Sequence, residues 1–149
     1  MLYAVVHDLA ADADRLRRRG CGVIETACGQ LERIVLRPFP KIVTALGSRI
    51  FGRLEHRLRR GNRCRLYFNQ SRRFPNFLAL RYVVTTRDAD YATFRAALTA
   101  LDEIARVKGI DALLCDAANL RLSDRFLARL GWVPHAPMAG HRNFIKRLK

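Results

Sequence analysis

Arginine is the residue through which this chain can do most chemistry. Arg49, Arg53, Arg57, Arg59, Arg60, Arg63, Arg65, Arg72 and Arg73 crowd into one stretch, with Tyr67, Phe68 and Phe74 between them. Guanidinium forks grip phosphate oxygens in pairs and aromatic faces stack on bases, so the combination suits a nucleic-acid-binding surface. Arg53, Arg57, Arg60, Arg63 and Arg65 are the candidate contacts, with RNA, DNA or a ribosome as partner. A solvated helix face with core aromatics gives the same pattern, and the sequence has no RNP1 octamer, GXXG helix pair or zinc-finger spacing. A second polar group consists of Thr85, Thr86, Asp116, Asn119, His135, His141 and Arg142, which fall at strand ends or in loops of the second half. In open α/β sheets, ligands lie beyond the C-terminal ends of the strands, which sets Thr85, Thr86, Asp116 and Asn119 beside one crevice. Asn119 suits a turn or helix cap equally well, and His141, without a carboxylate partner at a defined spacing, reads also as a solvent-facing loop residue.

The remaining reactive residues narrow the field. Cys21, Cys28, Cys64 and Cys115 form no CxxC pair and no histidine lies at finger spacing, so no metal site is expected and the thiols are expected to be reduced. The chain has 149 residues, 28 Lys plus Arg against 13 Asp plus Glu, and a net charge of +15. Such a surface attracts anions. The charge is uneven: residues 37–73 hold eleven cations and one acid, Glu55, whereas residues 88–130 hold six cations and seven acids. Half the residues are hydrophobic and spread along the whole length, which excludes a disordered chain. No apolar run approaches the ~20 residues of a membrane span and no signal-peptide pattern opens the sequence, so a cytoplasmic protein is expected. The length fits a single domain over residues 1–149, with residues 1–30 left unassigned.

The elements that must position these residues follow from periodicity. Residues 2–6 are a short apolar run, 9–19 read as a helix ended by Gly20 and Gly22, and 31–39 as a β-branched strand stopped by Pro38 and Pro40. Residues 22–29 fit no single element. Residues 41–60 carry Ile42, Leu46, Ile50, Leu54 and Leu58 at every fourth position with arginines turned away, a basic amphipathic helix. Strands are expected at 63–70 and, centrally, at 77–86. A long helix is expected at 88–108, closed by Gly109, then a strand at 110–116, a helix at 123–130 stopped by Gly131, and a last strand at 143–148. The whole is an α/β (α+β) protein with a mixed sheet.

Within that frame, residues 77–149 resemble the C-terminal half of the GNAT superfamily of N-acetyltransferases. The resemblance rests on IDALLCDAANLRLSDRFLARLGW, in which a strand leads to Asn119, a helix and a Leu130-Gly131-Trp132 step, and on HRNFIKRLK as the final strand. It implies an acyl-CoA N-acyltransferase-like fold, a mixed central sheet flanked by helices. It also implies acetyl-CoA as cofactor and an amine as acceptor, with Thr85, Thr86, Arg87 and Asn119 around the acyl-CoA arm. Two departures stand out. Between central strand and long helix, where the family carries a glycine-rich pyrophosphate loop, this chain reads Thr85-Thr86-Arg87-Asp88-Ala89-Asp90, in which Asp88 or Asp90 is expected to cap the helix. Where many members carry a proton-donating tyrosine, this chain has Leu127 or Phe126.

Overall fold

Period-two alternation drives the middle of the chain into sheet. Along Arg63–Gln70, Cys64, Leu66 and Phe68 are buried while Arg63, Arg65 and Tyr67 turn the other way. The computed structural model describes residues 3–38, 61–116, 123–135 and 142–148. It forms one eight-stranded sheet of β1 (Ala4–Val6), β2 (Cys21–Ala27), β3 (Gln30–Arg37), β4 (Arg63–Gln70), β5 (Phe77–Thr85), β6 (Ala112–Asp116), β7 (Val133–Pro134) and β8 (Asn143–Arg147). Helices α1 (Ala13–Arg18), α2 (Tyr91–Val107) and α3 (Asp124–Arg129) flank it. The strand order is β1-β3-β2-β4-β5-β6-β8-β7, with β5 and β6 parallel and the other pairs antiparallel. This is the mixed architecture expected, with β5 in the interior of the sheet, and from β5 onward the element order, β7 apart, is the one the resemblance implies.

α2 forms because Phe94, Ala97, Leu98, Leu101, Ile104 and Ala105 repeat on one face and are all buried. It lies on β2, β3 and β4, against Ile24, Ile34, Leu66 and Phe68, each near-completely buried and contributing about 1.5–3 kcal/mol. Gly22 belongs to this contact, since a Cβ there would stand 2.7 Å from the Val35 carbonyl oxygen and 3.0 Å from the Phe68 ring. Lys108 ends α2 and extends its Nζ to the carbonyls of Leu16 (2.6 Å) and Arg19 (2.8 Å), tying down the C-terminus of α1. Strand register sets Val23, Tyr82, Val84 and Ile145 on the opposite face, where all four are also buried.

The structure corrects the sequence reading in the first thirty residues. The helix expected over 9–19 is confined to α1, because Asp8 Oδ1 accepts the N–H groups of Ala10 and Ala11 and folds residues 9–12 into turns. Gly22 lies within β2 and stops no helix. The ambiguous 22–29 segment is β2 and its turn: Cys28 (φ 51) and Gly29 (φ 78) make a two-residue left-handed connection to β3. β7 was not foreseen. The basic helix expected over 41–60 lies outside the described residues. No described helix is long and apolar enough to cross a membrane.

Candidate active site

The crevice is expected where the strands starting near Phe77 and Ile110 part, and these strands form the parallel β5–β6 ladder. That ladder runs from Phe77↔Ala112 to Leu80↔Cys115 and ends there, while β5 continues to Thr85 on β4. The change coincides with a bulge. β4 pairs Phe68 with Leu80 and Tyr67 with Tyr82, which leaves Arg81 as the extra residue on β5, and a bulge bends and twists its strand. Beyond it the Thr86 N–H donates to the Arg63 carbonyl at 3.0 Å, so Val84 and Tyr82 turn their backbone groups towards β4 and Val83 turns its own to the β6 side.

At the end of β5 the chain is held to the 61–63 turn. Thr86, 7% exposed, accepts the Arg63 N–H on Oγ1 at 2.8 Å and donates the same hydroxyl to the Gly61 carbonyl at 2.5 Å. Asp88 N–H donates to the Gly61 carbonyl at 3.1 Å, and Gly61 N–H returns to Asp88 Oδ2 at 3.3 Å. Asn62 reaches the start of α2: its Oδ1 accepts the Asp90 N–H (3.0 Å) and the Thr93 hydroxyl (2.6 Å), and its Nδ2 donates to Asp90 Oδ2 (2.9 Å). Asp90 is the N-cap, accepting the Thr93 N–H at 2.9 Å. Hydrogen bonds from Thr93 and Asn62 hold the Asp90 carboxyl below the ordinary carboxylate range. Thr85, half-buried, pairs with Cys64, and Arg87 is exposed in the loop.

On the other side, Ser123 caps α3 by accepting the Phe126 N–H at 3.1 Å. Phe126 packs edge-on to Tyr91 (5.6 Å between centroids) and against Phe94 (6.0 Å), so it bridges α3 to the first turn of α2. Leu127 is 1% exposed in the core. Neither presents a proton donor. The Gly131 turn, at φ 92, then sends the Trp132 side chain into the core, and the Trp132 backbone N–H donates to the Leu127 carbonyl at 3.0 Å. At the tip of β6, Asp116 Oδ1 accepts the Arg142 N–H at 3.3 Å, and the Arg142 guanidinium pairs with Asp124 in the first turn of α3. This brings Asp116, Arg142, β8 and α3 together beside the end of the β5–β6 ladder. His135 is exposed, with its N–H on the Asn143 carbonyl at 2.9 Å. Cys115 is buried, and burial pushes its thiol up to about 12.

Among the arginines considered for nucleic acid, Arg65 faces Glu25 at 3.4 Å, beside Arg33 on the same carboxylate, and Arg63 faces Glu32 at 3.5 Å. Arg53, Arg57, Arg60, Asn119 and His141 lie outside the described residues. Sequence reasoning missed Asn62 and the Arg81 bulge, which no glycine or proline marks.

No family model matches the chain, and no curated protein is similar to it. Among solved structures it is similar to a protein from Desulfovibrio desulfuricans assigned to the GNAT family of acetyltransferases, at 18% identity over 58% of this chain and 60% of that one's length, with a TM-score of 0.48. It is also similar to nourseothricin acetyltransferase, at 12% identity over 100% of both chains, with a TM-score of 0.47.

Proposed function

We propose that the protein is an N-acyltransferase that moves an acetyl group from a thioester to an amine. The observation that carries this reading is that β5 outruns its parallel ladder with β6 by five residues, starting at the Arg81 bulge. Strand edges are templates for extended, amide-bearing ligands, and the pantetheine arm of acetyl-CoA is such a ligand. In this reading the arm lies beside Val83, Thr85 and Arg87, with Thr86 acting on the loop. The amine nitrogen attacks the thioester carbon, the C–S bond breaks, and the departing thiolate ends as a thiol with the proton the amine gives up. Phe126 and Leu127 supply no proton, so that proton reaches sulfur directly or through solvent. The setting we propose is the cytoplasm, where the free cysteines remain thiols.

Thermal unfolding tests the reading. A ligand at 100 times its dissociation constant adds ~2.7 kcal/mol, which for a chain of this size raises Tm by about 5–10 °C. Acetyl-CoA or S-acetyl-phosphopantetheine is expected to produce this shift where ADP does not. If neither thioester moves Tm, the protein is no acyltransferase.

A further inference from the structure

Between α2 and α3, on the helix-covered face of the sheet, lies a cavity of about 270 Å³. Arg95, Thr99 and Asp102 of α2, Arg129 at the end of α3 and Lys146 of β8 line it. Lys146 is opposite Leu113, three residues back from the Asp116↔Asn143 pair at the tip of β6. It is held in place: its Cε lies 3.4 Å from where a Cβ on Gly131 would stand, and its Nζ donates to Asp102 Oδ2 at 2.8 Å in a pair whose side chains are 22% and 23% exposed. The other acids of the two helices are taken as well, Glu103 by Arg106 and Asp124 by Arg142. Arg95 and Arg129 therefore line one cavity with no counter-ion among the described residues. Two uncompensated guanidinium groups at one recess draw an anion into it, and each fork matches a carboxylate in a bidentate way. Leu98, Leu130 and Trp132 add an apolar wall, which favours a carbon skeleton over a bare ion. The volume lies below the ~300–1,000 Å³ of drug-sized sites, so the ligand is small. We propose that this cavity binds a small aliphatic dicarboxylate, with one carboxylate on Arg95, the other on Arg129, and the carbon chain between them against Leu98 and Trp132. This binding does not depend on acyl transfer, and either can fail without the other.

The test is a titration of the full chain with succinate and with glutarate, followed by calorimetry and by the emission of Trp132, the single tryptophan of the chain. At about 0.15 M salt, where attraction between exposed charges is screened beyond ~8 Å, at least one diacid is expected to bind once per chain with a Kd of about 1 mM or tighter. Arg95→Gln and Arg129→Gln are each expected to weaken it about 10-fold or more, the loss of one charge-assisted contact. Both residues are exposed, so the variants should fold with Tm within about 2 °C of wild type. Arg125→Gln removes the same charge from α3 outside the cavity and should leave affinity within about 2-fold. Sulfate, a dianion with no carbon skeleton, should bind about 10-fold more weakly than the better diacid or worse. Absence of binding by both diacids overturns the proposal. So does an Arg125→Gln loss as large as that of the cavity variants, which would make the effect one of net charge. Wild-type affinity in either cavity variant overturns the bridging of the two arginines, and sulfate as tight as the diacids overturns the ligand class.

Discussion

Replacing Thr86 by valine keeps the shape of the side chain and removes a single oxygen, which separates a loop-holding residue from a ligand-holding one. That oxygen accepts the Arg63 N–H at 2.8 Å and donates to the Gly61 carbonyl at 2.5 Å, in a residue 7% exposed. The variant strands a donor whose desolvation costs about 1–3 kcal/mol, and we take ~2 kcal/mol because the site is only partly buried. At 2–4 °C per kcal/mol, Tm should fall by about 4–8 °C. Thr86→Ser keeps the hydroxyl and loses one methyl, ~0.8 kcal/mol, so its Tm should fall by about 2–3 °C. Hydrogen exchange adds a local readout: the Arg63 amide should lose protection in the valine variant and keep it in the serine variant. Thioester affinity, measured by calorimetry where all three proteins are folded, should stay within about 3-fold, less than one hydrogen bond to a ligand would contribute. A valine variant with unchanged Tm and tenfold weaker thioester binding would refute the reasoning and put the hydroxyl on the ligand.

Gly22→Ala should destabilise by about 1–3 kcal/mol, read as a lower urea midpoint, because its Cβ meets a ladder carbonyl at 2.7 Å that cannot move without β3; wild-type stability would mean that β2, β3 and β4 pack otherwise. Thiol labelling of the folded protein should stop at the exposed Cys28. Cys64 and Cys115 are buried and burial pushes both thiols up to about 12, which leaves a thiolate fraction of about 10⁻⁴ at pH 8; their reaction at the Cys28 rate would count against this core. Burial lowers Lys108 to about 8, so between that pH and ~10.4 the unfolded chain binds the extra proton and stability rises with pH. The difference in unfolding free energy between wild type and Lys108→Met should therefore grow by about 1–2 kcal/mol over that window, after discount for the partial exposure of the amine. The carbonyls of Leu16 and Arg19 favour the charged amine, and a flat difference profile would show that they outweigh burial.

The parts of the fold legible in the sequence are those whose pattern is complete within one element. β4 and β5 show their alternation, α2 its apolar face with Asp90 before it and Gly109 after it, and α3 its Ser123 cap and Gly131 stop. β2 was obscured because Gly22 reads as a helix stop although it lies within the strand; the Cys28-Gly29 pair before a β-branched run was the available signal for the hairpin. In the site, the capping role of Asp90 was legible, since it depends on a neighbour three residues on. The roles of Asn62 and Thr86 were not, because their partners lie 23 to 31 residues away and only strand register brings them together. The Arg81 bulge had no local mark at all.

The missing glycine loop and the 61–62 turn are two sides of one arrangement. A helix terminus that is to hold an anion must leave its N–H groups open, and glycine keeps side chains out of the way. Here the Gly61 carbonyl takes Asp88 N–H and the Thr86 hydroxyl, Asn62 Oδ1 takes Asp90 N–H and the Thr93 hydroxyl, and the Thr93 hydroxyl in turn accepts the Gly29 N–H at 2.9 Å. The Thr93 carbonyl completes the link to β2 by accepting the Thr26 hydroxyl at 2.8 Å. The helix start is thus fastened to the β2–β3 hairpin and to the 61–62 turn. The N–H groups of Asp88, Asp90 and Thr93 fasten the loop and the helix start to each other and to the 61–62 turn.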